Sequence, residues 1–309
     1  MAYQLVNFTT LDLVLLVVCI VSVVVYPMVL FVLVKNRNTP PFNGSFYRLS
    51  TACGLVDFLD LLFTYVVMKP VTWGLIAEWM HQPGYTVFPS TIATMLTAAM
   101  TGQLLLSTLI AVNRMMAVAW PSKFRKHWTA EETGRILVVV GVCCLWPTIL
   151  PFFSPVTFVY VPPSNITGKF HVENPEVPYS IMTLLITTTA IVSGMCYAVA
   201  FGALVRQNRQ TAERAEDRDA RIIEVRLALC GASIFAVQAS LAVLYVLMAA
   251  MPEESVFWYN LIFVALDLFS YVNPYSLLIA STQTRQKFLE TFGCGIVLAK
   301  RRVAPATQT

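Results

Sequence analysis

With 309 residues, 57% of them hydrophobic and only 12% charged, this chain is too apolar for soluble packing, where charged residues make up about 25%. Its net charge of +4 is small, and 19 of its 21 Lys and Arg residues lie in four short segments between apolar stretches. Charge confined to alternate connections excludes a nucleic-acid footprint and marks a polytopic membrane protein with its basic loops on one side.

Residues 1–10 carry no positive charge and read as a short extracellular N-terminus. The apolar run Leu11–Val34 is too long for a signal peptide, and Lys35 and Arg37 follow it, so it is a first span that leaves the N-terminus outside. A crossing helix needs about 20 mostly apolar residues, and six further runs qualify: Leu49–Val71, Ser90–Val112, Ile136–Phe153, Tyr179–Val205, Leu227–Met251 and Val256–Ala280. The fourth is the shortest, with Pro147 and Pro151 near its outer end. The expected fold is an all-α membrane protein, a seven-transmembrane helix bundle over 11–280 with its C-terminus inside. Residues 281–309 form a cytoplasmic tail. There Thr284–Phe292 is amphipathic and predicts a short helix on the membrane surface.

The basic segments are Lys35, Arg37 and Arg48; then Arg114, Lys123, Arg125, Lys126 and Arg135; then Arg206, Arg209, Arg214, Arg218, Arg221 and Arg226; and finally Arg285, Lys287, Lys300, Arg301 and Arg302. Lys69 and Lys169 stand apart from them. The third basic segment interleaves Arg with acids, Asp217 and Arg221 four apart among them, and reads as helical extensions of the fifth and sixth spans. Sequons at Asn7 and Asn165 fall outside and are the candidate glycosylation sites, whereas Asn43 falls inside. No cysteine lies in an outer loop, so no extracellular disulfide is expected, and Cys294 in the tail is a candidate for palmitoylation.

Asp57 and Asp60 lie on one face of the second span, and Asp267 lies in the seventh. Each costs roughly 2.5–3.5 kcal/mol near the bilayer centre and so belongs in a polar interior. The third span ends Asn113-Arg114-Met115-Met116-Ala117-Val118-Ala119-Trp120-Pro121, and the seventh contains Asn273-Pro274-Tyr275. A proline frees a backbone carbonyl and bends its helix, and a neighbouring Asn can bond that carbonyl.

Arg114, Ala117, Val118 and Pro121 resemble the Asp-Arg-Tyr-x-Ala-Val-x-x-Pro signature of rhodopsin-like G-protein-coupled receptors, and Asn273-Pro274 resembles the start of their Asn-Pro-x-x-Tyr hinge. Asn113 replaces the acid of the first motif, and Leu277 stands where the second has Tyr. The first span has Tyr26-Pro27 in place of the usual Gly-Asn, and the sixth lacks Trp-x-Pro. With no outer disulfide, the whole is most similar to nematode serpentine chemoreceptors of the Srg/Srv branch.

That resemblance implies a multi-pass plasma-membrane receptor, not an enzyme. A heterotrimeric G protein would meet Arg114 on the cytoplasmic face, with Asn113, Asn273, Pro274 and Tyr275 in the activation machinery. It also implies that Asp57, or alternatively Asp60, joins Asn273 in a polar network able to hold a sodium ion, with no other cofactor. An extracellular small molecule or peptide would enter between the outer helix halves, where Trp73, Trp79, Met100, Gln103, Gln238, Tyr245, Asn260, Phe263 and Asp267 are candidate walls. An opsin would need a Lys in the seventh span, which has none. A zinc hydrolase would need intramembrane ligands, whereas His81, His127 and His171 lie in loops or at span ends. A transporter or channel that uses the intramembrane Asp residues is the alternative.

Overall fold

The computed structural model describes residues 10–73, 87–149, 156–159, 169–172, 176–210, 218–251 and 255–293. Six of its helices are long and apolar enough to cross a membrane. The helices run Thr10–Lys35 (first), Ser45–Thr72 with an internal break (second), Val87–Ala119 (third), Glu176–Gln210 (fifth), Arg218–Ala250 (sixth) and Ser255–Ala280 (seventh). Their faces are reversed relative to soluble helices. On the first, Leu13, Val17, Ile20, Val24 and Phe31 are exposed, while Cys19, Ser22, Tyr26, Val29 and Leu33 point inward. Both sets repeat every three or four residues, as a helix with an apolar outer face and a mixed inner face requires.

The second helix loses its α register at Thr64–Met68, which forms one π-helical turn before Lys69–Thr72. Pro70 is the local cause: it has no N–H to give the carbonyl four residues back and its ring crowds that turn. The wider turn rotates the residues beyond it, Lys69 among them, relative to an unbroken helix.

The fourth span differs from expectation. Its helix starts early, at Ala130, because Thr129 caps it by accepting from the Glu132 N–H and because Arg135 pairs with Glu131 and Glu132 at 2.6 and 2.9 Å. It ends at Cys143, four residues before Pro147, which cannot donate to that carbonyl, and Trp146–Ile149 continue as a 3-10 turn. Fourteen residues span about 21 Å at 1.5 Å each. The expected end of this span, 150–153, lies outside the described residues.

The all-α expectation also needs one correction, since Val156–Val159 and Lys169–Val172 pair as an antiparallel two-stranded ribbon between the fourth and fifth spans. Alternating Val, Thr and Phe suit strand pairing.

The third helix packs against the second, fifth and sixth, the sixth against the seventh, and the first against the second and seventh. This closes the bundle. The fifth helix runs on to Gln210 and the sixth begins at Arg218, as the charge pattern predicted. After Ser281, whose hydroxyl accepts from the Thr284 N–H, a helix covers Thr282–Thr291. Its Phe288 packs toward the cluster of Phe42, Phe46, Tyr47 and Leu277, and Phe292 meets Phe31 at 6.2 Å between ring centroids. The predicted amphipathic helix is thus fastened to the ends of the first and second helices.

Candidate functional site

Buried polar groups form three groupings along the bundle axis, strung on the second, third and seventh helices. The middle one holds Asp57 and Asp60, 2% and 8% exposed. A three-residue offset places both on one helix face. Asp57 accepts from Asn273 Nδ2 at 3.0 Å, and the Tyr26 hydroxyl oxygen lies 3.4 Å from its Oδ2. Asp60 accepts from the Ser270 hydroxyl at 2.9 Å and from Gln103 Nε2 at 3.4 Å. Among the described residues neither carboxylate is ion-paired. Gln103 Oε1 and Asn273 Oδ1 are buried without hydrogen-bond partners. The two Asp residues that the sequence left as alternatives therefore share one network, each with its own partners.

The proline hinge differs from expectation in one respect. Pro274 deprives the Ser270 carbonyl of its helical donor, and the group that satisfies this carbonyl is the Tyr26 hydroxyl of the first helix. Asn273 spends its amide on Asp57. Tyr26 thus ties three helices together. Tyr275 turns toward the first helix, its hydroxyl 2.9 Å from Ser22 Oγ. Leu277 is 1% exposed in the apolar cluster with Phe46 and Tyr47.

At one end of the bundle the third helix presents Asn113 and Arg114, both buried. Asn113 donates to Ser45 Oγ at 2.7 Å, Arg114 donates to Asn113 Oδ1 at 2.9 Å, and its guanidinium lies over the Phe46 ring, 4.4 Å from the centroid. Ser45 and Phe46 are the first two residues of the second helix. Nothing in the sequence singled them out.

Toward the opposite end, Lys69 binds Asp267 at 3.2 Å and Asp12 at 3.8 Å. Tyr65 donates to Asp267 at 3.3 Å, and Tyr271 donates to Tyr65 at 2.9 Å. Lys69 and Asp267 are 7% and 3% exposed. In the sequence Lys69 stands out only as an exception to the basic pattern. A lone cation in an apolar span that also holds acids was the available signal.

The predicted pocket residues fall into sets. The Tyr245 hydroxyl approaches Met100 Sδ at 4.0 Å, and both sit in an apolar cluster with Ile186, Leu241 and Phe269. Gln238 accepts from Ser107 at 3.3 Å, bonding the sixth helix to the third four residues from Gln103. Asp267 is engaged by Lys69, Phe263 is half-buried, and Trp73 ends the second helix with its N–H on the Lys69 carbonyl. The side chain of Asn260, and all of Trp79, Asn7, Asn165 and Cys294, lie outside the described residues. So do Asp217 and the side chain of Arg221.

The sequence profile of the serpentine-type seven-transmembrane G-protein-coupled chemoreceptors named Srv matches residues 15–294, from the first helix to just past the last. The chain belongs to this family. Among curated proteins, Serpentine receptor class V-1 of Caenorhabditis elegans is 29% identical over 138 residues, 45% of this chain and 42% of that protein. The aligned stretch thus covers less than half of the relative's length. The Srv chain is a multi-pass membrane protein of a receptor family, which disfavours the transporter reading. The family is described as seven-transmembrane, and six helices among the described residues are long and apolar enough to cross, the fourth helix being the shorter one.

Proposed function

We propose that this Srv chain is a chemosensory receptor of the plasma membrane that passes binding of an extracellular small molecule or peptide to a cytoplasmic heterotrimeric G protein. The N-terminus faces outward and the Arg114 end faces the cytosol, in accord with the Lys and Arg distribution. The observation that carries the reading is Arg114, an always-charged guanidinium 5% exposed where the second and third helices meet. Such a group is held inside only while the bundle is closed, and it becomes a five-donor contact once the helices part.

Ligand enters from the Lys69 end, against the set around Met100, Gln103, Gln238 and Tyr245. It favours the open form only through its differential affinity for the two forms. The Lys69–Asp267 pair lies toward the same end and fixes the second helix to the seventh. Between the two ends, Asp57 and Asp60, the Ser270 hydroxyl and the unpartnered oxygens of Gln103 and Asn273 make an all-oxygen donor set suited to a hard cation such as sodium. A bound cation there offsets the repulsion between the two carboxylates.

The test is a ligand panel on cells expressing the receptor with G-protein dissociation as the readout. An active ligand should be found, and Arg114→Ala at equal surface level should abolish its signal. A variant that signals normally would overturn the mechanism.

A further inference from the structure

We propose that Phe46 is the positioning residue for Arg114: its ring face holds the guanidinium against the start of the second helix and so restrains signalling in the absence of ligand. The proposal rests on the G-protein reading above for its signalling consequence, and on geometry alone for the contact itself.

Two consecutive residues of the second helix meet two consecutive residues of the third. Ser45 takes the Asn113 amide at 2.7 Å, and Phe46 lies under the Arg114 guanidinium at 4.4 Å. Asn113 completes the arrangement by accepting from Arg114 at 2.9 Å. All four residues are buried. A buried cation must be stabilised by what surrounds it. The position beside the arginine, occupied by an acid in the resembling motif, is here a neutral amide. An aromatic face supplies part of that stabilisation through its negative quadrupole, more strongly where water is excluded. A planar guanidinium stacks on such a face in a way an ammonium does not.

The ring cannot easily turn away. Phe46 packs edge-on against Tyr47 at 5.3 Å, and Tyr47 in turn meets Phe42 at 4.9 Å. The Tyr47 hydroxyl lies 3.0 Å from Ser281 Oγ at the head of the last helix. The clamp is therefore braced from the two loops that flank it. Opening the mouth requires Arg114 to leave the ring, so weakening the ring's attraction raises the open fraction without any ligand.

The experiment uses the full chain in lipid nanodiscs, with Phe46 replaced by mono-, di- and trifluorophenylalanine, which drain the ring face of negative charge at nearly constant shape. Ligand-free nucleotide exchange is measured on purified heterotrimers of each α-subunit class in turn. Exchange should climb with each fluorine to about five- to tenfold over the Phe46 receptor, the size expected for losing a desolvated cation–π contact. Phe46→Leu should match the top of that series, and Phe46→Trp should fall at or below the parent. A merely structural role would not follow ring electronics, so exchange indifferent to fluorination overturns the restraint. The contact is judged without any G protein from the fluorine resonance of the monofluoro receptor. It should move when Arg114 is changed to Met, and a resonance that stays put overturns the proposal. If Arg114→Ala leaves the raised exchange of the Phe46→Leu receptor in place while the resonance responds, the coupling reading has failed and the restraint on signalling falls with it.

Discussion

The hydroxyl of Tyr26, on the first helix, donates to the backbone carbonyl of Ser270, on the seventh, four residues before Pro274. The acceptor is the one that a proline at 274 strips of its helical donor. The same hydroxyl approaches Asp57 Oδ2 at 3.4 Å, so one side chain closes the seventh-helix hinge against the first and second helices. A side chain from another helix performs the repair that a membrane interior requires of every broken backbone bond.

Tyr26→Phe isolates that hydrogen bond. The ring, 1% exposed and 5.9 Å from Phe58 between centroids, keeps its packing, while a buried carbonyl loses its donor. The expected cost is about 1–3 kcal/mol. Thermal inactivation of the purified receptor should shift to lower temperature by several degrees, on the order expected for a domain this large. An unchanged midpoint would show that the carbonyl finds another donor.

Lys69 and Asp267 should behave as one unit. Lys69→Met alone leaves Asp267, 3% exposed, without its cation, and removing one partner of a buried pair costs about 3–5 kcal/mol. Surface expression should collapse for Lys69→Met and fall for Asp267→Leu. The double variant should recover most of it, because two apolar side chains replace the buried pair together, and Asp12, the other carboxylate on Lys69, is the more exposed of the two acids. If expression of the double variant equals the sum of the two defects, the residues act independently and the pair is incidental.

The spans were legible because a membrane imposes one strong requirement, a long apolar run, and the Lys and Arg residues order the loops. Helix ends were less so, since Thr129 and Pro147 set the fourth helix by local hydrogen bonding that hydropathy does not see. Asp57, Asp60 and Asp267 announced themselves as charged groups in apolar spans, and Arg114 and Asn273 through the motifs they resemble. Their partners did not. Phe46 and Tyr26 are ordinary aromatic residues in a chain rich in them, and only the approach of separate helices makes one a cation's platform and the other a carbonyl's donor. Counting four residues back from Pro274 would have named Ser270 as the group needing help. No count along the chain names Tyr26 as the helper.

Glycosylation reports the threading of the chain. Asn165 lies in the connection between the fourth and fifth spans, and Asn43 in the basic connection after the first. Only lumenal sequons are modified. Expressed in a secretory host, the receptor should lose a glycosidase-sensitive mass shift on Asn165→Gln and keep it on Asn43→Gln. The reverse result would invert the bundle and place Arg114 outside.

Sodium sensitivity tests the central network. Asp57 and Asp60 are buried on one face of the second helix, and two nearby oxygens, of Gln103 and Asn273, have no hydrogen-bond partner. Two ionised carboxylates this close repel one another, and a cation bound between them removes that cost while satisfying the free oxygens. A ligand that binds only the folded form stabilises it by mass action. The thermal midpoint should therefore rise when choline chloride is replaced by sodium chloride at equal ionic strength, which holds general screening constant. Asp60→Asn removes one of the charges but keeps an acceptor for Ser270, so the variant should fold, melt at the parent's choline midpoint or above, and ignore sodium. Asp57→Asn should lose the same response, because Asn273 Nδ2 still finds an oxygen while the cation loses its second charge. A sodium-dependent rise that survives both substitutions would place the ion elsewhere in the bundle.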